Sequence, residues 1–188
     1  LARAGAEFII CPNNTLHRVF DAVRSPIPWL HVAEVVAAEA FQQGSRRVGL
    51  LGTRSVMEEC VYRQKLERIG IDLEVPDAHD QARIHRIILS ELIRGHIFPA
   101  SQCDLYAAIG RMKKEGCDAV ILGCTELPLF VTEEQSVLPL LDSTRPLAQV
   151  AIRHAIGPRD TQERSRRSGP PGHHGAVRCK DKRKVYIE

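Results

Sequence analysis

The sequence predicts an α/β fold built on parallel sheets, and three observations carry that expectation. Short apolar runs alternate with longer amphipathic ones from Gly5 to Gly157, the mark of βαβ units. The amphipathic stretches stop at glycines, as helices commonly do. The chain has 188 residues and 44% hydrophobic content, enough for one globular domain with a proper core and too little for two large ones.

The first strand is expected at "EFIIC" (7–11), followed by the polar run "PNNT" and a helix-like pattern in "LHRVF". "WLH" (29–31) and "RVGLLG" (47–52) are the next strands, short runs rich in apolar residues and bounded by turn formers. "SVMEECVYRQKLERIG" (55–70) spaces its apolar residues by three and four and ends at Gly70, which predicts a helix. "IDLEV" (71–75) returns to strand. "QARIHRIILSELIRG" (81–95) and "CDLYAAIGRMKKEG" (103–116) are helical by the same spacing and end at Gly95 and Gly116. "DAVILG" (118–123) is a buried strand, and "VLPLL" (137–141) is the last. The helices are the covering layers of an α/β sandwich.

Both ends of the chain differ from this pattern. Leu1 stands where a Met would begin a gene product, and "LARAGAEF" reads as the last turn of a helix entering a strand, so an N-terminal truncation is expected. Residues 158–188 lose all periodicity and are rich in Arg, Ser, Gly, Pro and Lys; such a segment buries too little apolar surface to order itself. That tail is expected to be disordered and to play no part in catalysis. It holds nine Lys/Arg against four Asp/Glu, a net +5, which leaves residues 1–157 at −2. The basic surplus lies in the tail, whose single aromatic is Tyr186, so nucleic-acid binding is not expected.

Six cysteines (11, 60, 103, 117, 124 and 179) form no C-x-x-C pair and no His/Cys spacing of a zinc site. They are read as reduced thiols, with no metal site. The longest apolar runs fall far short of the roughly 18 residues of a membrane span, and no basic-then-apolar leader opens the chain. The expectation is a soluble, cytoplasmic protein that does not engage a membrane.

Four strands end in the same chemistry: "CPNNT", "GTRS", "GCTE" and "DSTRP". In an open parallel sheet the C-terminal strand ends share one edge, where following helices offer unpaired N–H groups to a ligand. Four such junctions would converge on a small anion. Ser, Thr and Asn are also the usual helix N-caps, and for "DSTRP" alone capping is the readier explanation. "GCTE" adds Cys124 directly after a buried strand. A thiol at a helix start has its pKa lowered from about 8.5, which suits a thiolate base or nucleophile. The commoner fate of a free cysteine is that of a small buried hydrophobe, and Cys117, Cys60 and Cys103 are assigned mostly to it.

At these residues the sequence resembles the cofactor-independent aspartate/glutamate racemase superfamily, which pairs a P-C-N-T motif after an early strand with G-C-T-E after a later one. The matching stretches are "CPNNTLH" (11–17) and "LGCTELPL" (122–129), with "LGTRSVM" (51–57) and "GIDLEVPD" (70–77) in the family order. The resemblance covers residues 5–157 and implies two pseudo-symmetric α/β lobes facing each other across the active site, the first incomplete because the family's first strand and helix would precede Leu1. It also implies amino-acid racemisation with no pyridoxal phosphate or other cofactor, one cysteine working on each face of the substrate's α-carbon. A homodimer is one option; the oligomeric state is not legible in the residues.

Carried over residue by residue, the resemblance places Cys124 on the second catalytic cysteine. Asn14, Thr15, Thr125 and Glu126 fall on positions that hold the substrate's carboxylate and amino groups, and Thr53 on another carboxylate-binding hydroxyl. His17 matches a family position too, although a core or helix-surface histidine explains it as well. The first catalytic cysteine is replaced by Asn13, which has no titratable proton. Cys11 lies two residues earlier, about 6.5 Å back along the strand, whereas proton transfer needs contact near ~3 Å or a bridging water. The expectation is a one-sided racemase or epimerase of aspartate or glutamate, with L-enantiomers preferred. The alternatives are another single-cysteine enzyme of the superfamily, decarboxylating or isomerising a dicarboxylate, and a non-catalytic carboxylate- or amino-acid-binding protein.

Overall fold

Strands buried on both faces read as continuous apolar runs, and the longest of them form the centre of the molecule. In the computed structural model, which describes residues 1–157, six strands form, five of them within the segments the sequence marks and the last displaced toward the C-terminus. β1 (Ile9–Ile10) and β2 (Trp29–Leu30) make a two-stranded parallel sheet with Ile9 opposite Trp29. β3 (Arg47–Gly52), β4 (Asp72–Glu74), β5 (Ala119–Gly123) and β6 (Leu140–Asp142) form a second parallel sheet in the order β4-β3-β5-β6. Contacts divide the chain into Leu1–Ala155, described below, and Ile156–Glu188, of which only the first two residues are described. The basic tail of residues 158–188 lies outside the described residues.

Six α-helices connect and cover the strands: α1 (Val32–Gln42), α2 (Arg54–Glu58), α3 (Val61–Glu67), α4 (Ala78–Ser90), α5 (Pro99–Lys114) and α6 (Thr144–Ile156). The pleat sorts the large sheet's side chains between two layers. Val48, Leu50, Ala119, Ile121 and Leu141 pack with α1 and α3, while Leu51, Val120 and Leu122 pack with Ile84, Ile87 and Ile88 of α4 and Leu105, Ile109 and Met112 of α5. Gly49 leaves room for that second layer, since a Cβ there would lie 2.4 Å from Met112 Sδ. Asp80 pairs with Arg111 and Arg83 with Asp104, joining α4 to α5, and Lys65 pairs with Glu34 to join α3 to α1.

Three elements differ from the sequence pattern. The helix expected over 55–70 is broken, because Glu59 is extended (φ −86°, ψ 155°) between α2 and α3. α2 sets Val56 over Gly52 and Gly123 at the strand ends, whereas α3 buries Tyr62 and Leu66 beside α1; the break lets the chain turn between these tasks. The last strand begins at Leu140 rather than Val137, because the Ser136 hydroxyl donates to the Leu138 carbonyl and accepts from the Leu138 N–H, holding those residues in a turn. α5 begins four residues early at Pro99, where Glu91 accepts from Phe98 N (2.9 Å) and from Ser101 Oγ (2.7 Å). Gly116 ends α5 as expected, in the left-handed region (φ 90°) that glycine enters without penalty.

The strand order reverses at β3, which meets β4 on one side and β5 on the other. Ligands in open α/β sheets bind outside the C-terminal strand ends at such a switch point. Gly52 and Gly123 are register partners there. A Cβ on Gly123 would lie 2.9 Å from Leu50 Cδ1, 3.0 Å from the Leu51 carbonyl and 3.0 Å from Val56. Among the described residues no helix is long and apolar enough to cross a membrane.

Gly123→Ala is expected to lower stability by about 1–3 kcal/mol through overpacking. Thermal unfolding followed by circular dichroism reads this as a lower Tm; an unchanged Tm would mean that Val56 and Leu50 yield without cost.

Candidate active site

Two of the four polar junctions follow the paired glycines directly: Thr53 continues β3 and Cys124 continues β5. The loop after β1 joins them from the smaller sheet. Thr15 Oγ1 lies 3.5 Å from Thr53 Oγ1, and Asn14 Nδ2 donates to Ser143 Oγ at 3.0 Å. The first junction is thereby tied to the second and the fourth, while the third stands beside the second. Thr53 sits at the N-cap of α2 without bonding its hydroxyl to the helix, so capping does not explain it. "DSTRP" does cap: Asp142 Oδ1 accepts from Thr144 N at 2.7 Å at the start of α6.

Asn13 is exposed, and its Oδ1 accepts from Leu16 N (3.0 Å) as the cap of a 3₁₀ helix spanning Asn14–Ala22. Its amide nitrogen is the part of the side chain left for a ligand or a water. Cys11 points to other company. It lines an apolar cavity of about 130 Å³ with Leu16, His17, Val19, Phe20 and Trp29, a lining that includes neither Thr53 nor Cys124.

His17 is a core histidine, 4% exposed, whose Nε2–H donates to the Cys11 carbonyl at 2.9 Å and leaves Nδ1 unprotonated and unpartnered. Its ring lies 4.5 Å from that of His31, and Phe20 packs 4.6 Å from His31 and 5.4 Å from Trp29. His31 Nδ1 accepts from Ala33 N and caps α1. Burial, helped by the neighbouring His17, drives the His31 pKa down from 6.5 to about 3. Both imidazoles are lowered, chiefly by burial.

Cys124 reverses one expectation. The sequence suggested a helix start that lowers the thiol pKa, but burial and then the hydrogen bond to Glu126 push it up to about 12. The cause is local. Cys124 is followed by a turn and a 3₁₀ segment, Leu127–Leu129, too short for a strong dipole, and its Sγ donates to Glu126 Oε2 at 2.8 Å. Burial opposes ionisation of Glu126 as well, yet the hydrogen bonds it receives from Cys124 and Thr125 together hold its carboxyl below the ordinary value. The pair is therefore a neutral thiol donating to a carboxylate.

Over residues 1–151 the sequence matches the profile of the Asp/Glu/Hydantoin racemase family. The chain belongs to that family. It is 25% identical over 154 residues to the broad specificity amino-acid racemase RacX of Bacillus subtilis, a match covering 81% of this chain and 66%, just under two thirds, of that protein. Two solved structures are similar across 82% of this chain and 69% of their own. One is a Yersinia pestis protein assigned as an Asp/Glu racemase (37% identity, TM-score 0.77); the other is an aspartate racemase homologue from Pyrococcus horikoshii (34%, TM-score 0.74).

Within this racemase-family fold the remaining thiols divide. Cys117 is buried, and burial, aided by nearby carboxylates, pushes its pKa up to about 11. Cys60 and Cys103 are exposed, contrary to the expectation of buried hydrophobes: Cys60 precedes α3, and Cys103 faces away from the buried stripe Leu105, Ala108, Ile109 and Met112 of α5. Asp77, His79 and Asp80 are close enough to share a metal ion, but Asp80 already pairs with Arg111 and Asp77 Oδ1 caps α4. Sequence reasoning passed over Tyr62, whose hydroxyl donates to Asn14 Oδ1; its position in a helical apolar pattern gave no sign of a polar role.

Two pH effects follow. His31 stays neutral in the folded protein from pH 6.5 down to about 3, while the unfolded chain takes up a proton below its ordinary pKa. Stability is therefore lost as pH falls through that window. Tm is expected to drop between neutral and mildly acidic pH, less steeply in His31→Asn, which keeps an N-cap side chain. Glu126→Gln removes the carboxylate that holds the proton on Cys124. Alkylation of Cys124 by iodoacetamide at about pH 9 is then expected to be faster than in the wild type, with mass spectrometry separating it from Cys60 and Cys103.

Proposed function

We propose that the protein is a cofactor-independent amino-acid racemase or epimerase of aspartate or glutamate that handles one face of the substrate. The observation that carries this reading is the Cys124 thiol donating to the Glu126 carboxylate at the end of β5, beside the Thr15–Thr53 hydroxyl pair. Transfer of the thiol proton to Glu126 leaves a thiolate and a neutral acid, with no net change of charge. A substrate ammonium group that stands nearer the sulfur than the Glu126 carboxylate favours that thiolate, because an opposite charge lowers a thiol pKa. The thiolate removes the α-proton and becomes a thiol again, and the carbanion left behind is stabilised through the substrate's carboxylate.

Return of a proton from Cys124 regenerates the same enantiomer; inversion needs a donor on the other face. At the position where the family resemblance expects that thiol stands Asn13, whose oxygen caps a helix and which has no acidic proton. Water is the remaining donor. A positioned general acid contributes roughly 10²–10⁴ in rate, so inversion by water is slow relative to exchange. L-Aspartate and L-glutamate are the substrates this reading favours.

Incubation in deuterated buffer with each enantiomer of aspartate and glutamate, followed by NMR and chiral chromatography, tests it. The expected outcome is α-proton exchange well ahead of inversion for one enantiomer, abolished by Cys124→Ala. Equal rates of exchange and inversion from both enantiomers would overturn the one-sided reading. Binding without any exchange would overturn the racemase reading in favour of a dicarboxylate-binding protein or a decarboxylase.

A further inference from the structure

The Asn14 side chain is held at both ends. Tyr62 Oη donates to Asn14 Oδ1 at 2.5 Å, and Asn14 Nδ2 donates to Ser143 Oγ at 3.0 Å. All three residues are buried, Tyr62 and Ser143 completely and Asn14 to 6% exposure. They come from separate elements: the start of the 3₁₀ helix after β1, helix α3, and the turn between β6 and α6. Of the four hydrogen bonds an Asn amide can make, two are spent on the scaffold, leaving one N–H and one lone pair. An amide fixed through both its oxygen and its nitrogen cannot turn about its terminal torsion.

We propose that Tyr62 and Ser143 are positioning residues that set the plane of the Asn14 amide, so that its remaining N–H is presented in one direction to a substrate carboxylate. This rests on the reading of Asn14 as a carboxylate-holding residue. Two considerations separate the role from ordinary core packing. Burying a phenol, a hydroxyl and an amide costs free energy unless each finds a partner, and an apolar trio of like volume would stabilise the core without that cost. The two hydrogen bonds also fix the segment carrying Asn13, Asn14 and Thr15 from two sides, one to α3 and one to the residue after β6. Thr15, the next residue, then falls within reach of Thr53.

The test compares wild type with Tyr62→Phe, Ser143→Ala and Ser143→Thr in the full chain. Three readouts are taken: calorimetric binding of L-aspartate and L-glutamate, the KM and saturated rate of α-proton exchange, and NMR of the ¹⁵N-labelled Asn14 side-chain amide. Tyr62→Phe and Ser143→Ala are expected to weaken binding and raise KM by about tenfold, the worth of one hydrogen bond to a charged group. The saturated exchange rate changes much less, and the Asn14 amide signals shift. Ser143→Thr, which keeps the hydroxyl, restores wild-type KM. Unchanged binding and amide signals in Tyr62→Phe overturn the inference whatever the exchange assay shows, as does a Ser143→Thr variant as impaired as Ser143→Ala. If Tyr62→Phe fails to fold, the Ser143 pair decides. Weakened binding in the variants with no exchange even in wild type upholds the clamp and overturns the racemase reading instead.

Discussion

The absence of two side chains at the ends of β3 and β5 decides where the rest of the site can go. Gly52 and Gly123 face each other across the ladder, and Val56 of α2 rests on both. With nothing larger in between, a helix lies directly over the strand ends and the residue after each glycine is delivered to the same edge. Thr53 and Cys124 are neighbours for that reason. The same approach requires α2 to end after five residues, since the chain must then turn to lay α3 beside α1. A break that looks like a flaw in a helical pattern is thus a consequence of close packing at the sheet edge.

The site depends on how buried polar groups are matched. Asn14, Tyr62 and Ser143 satisfy one another away from water, and Cys124 and Glu126 do so after the end of β5. The second pair holds its proton on sulfur, because burial disfavours the thiolate and the adjacent carboxylate repels it. The smaller sheet has a different character. His17 stacks on Phe20, which meets His31 and Trp29 edge to face, and burial lowers the pKa of both imidazoles. The His17 hydrogen bond to the Cys11 carbonyl links those rings to the segment that carries Asn13 to Thr15.

Much of the fold was legible because it rests on local pattern. Parallel strands buried on both faces must be continuous apolar runs, so β3 and β5 could be read almost to the residue, and Gly70, Gly95 and Gly116 marked helix ends through their backbone freedom. The exposure of Cys60 and Cys103 could not be read this way. Each lies near apolar neighbours in sequence, and only the rotation of its helix against the sheet decides which side faces water. The shift of the last strand to Leu140 depended on a two-residue turn built by Ser136, a bond that no periodicity records.

The residues alone determined the parallel α/β architecture and the four polar strand ends, since each follows from composition, spacing or identity at a position. Tertiary structure decided which of those groups meet and in what state. It joined Asn14 to Ser143 across 129 residues of chain and recruited Tyr62 from an apolar helix face. It also raised the Cys124 pKa where the sequence suggested a fall. The physical reason is the same in each case: hydrogen-bond partners and desolvation are set by distances between segments far apart in sequence, and local pattern carries no measure of those distances.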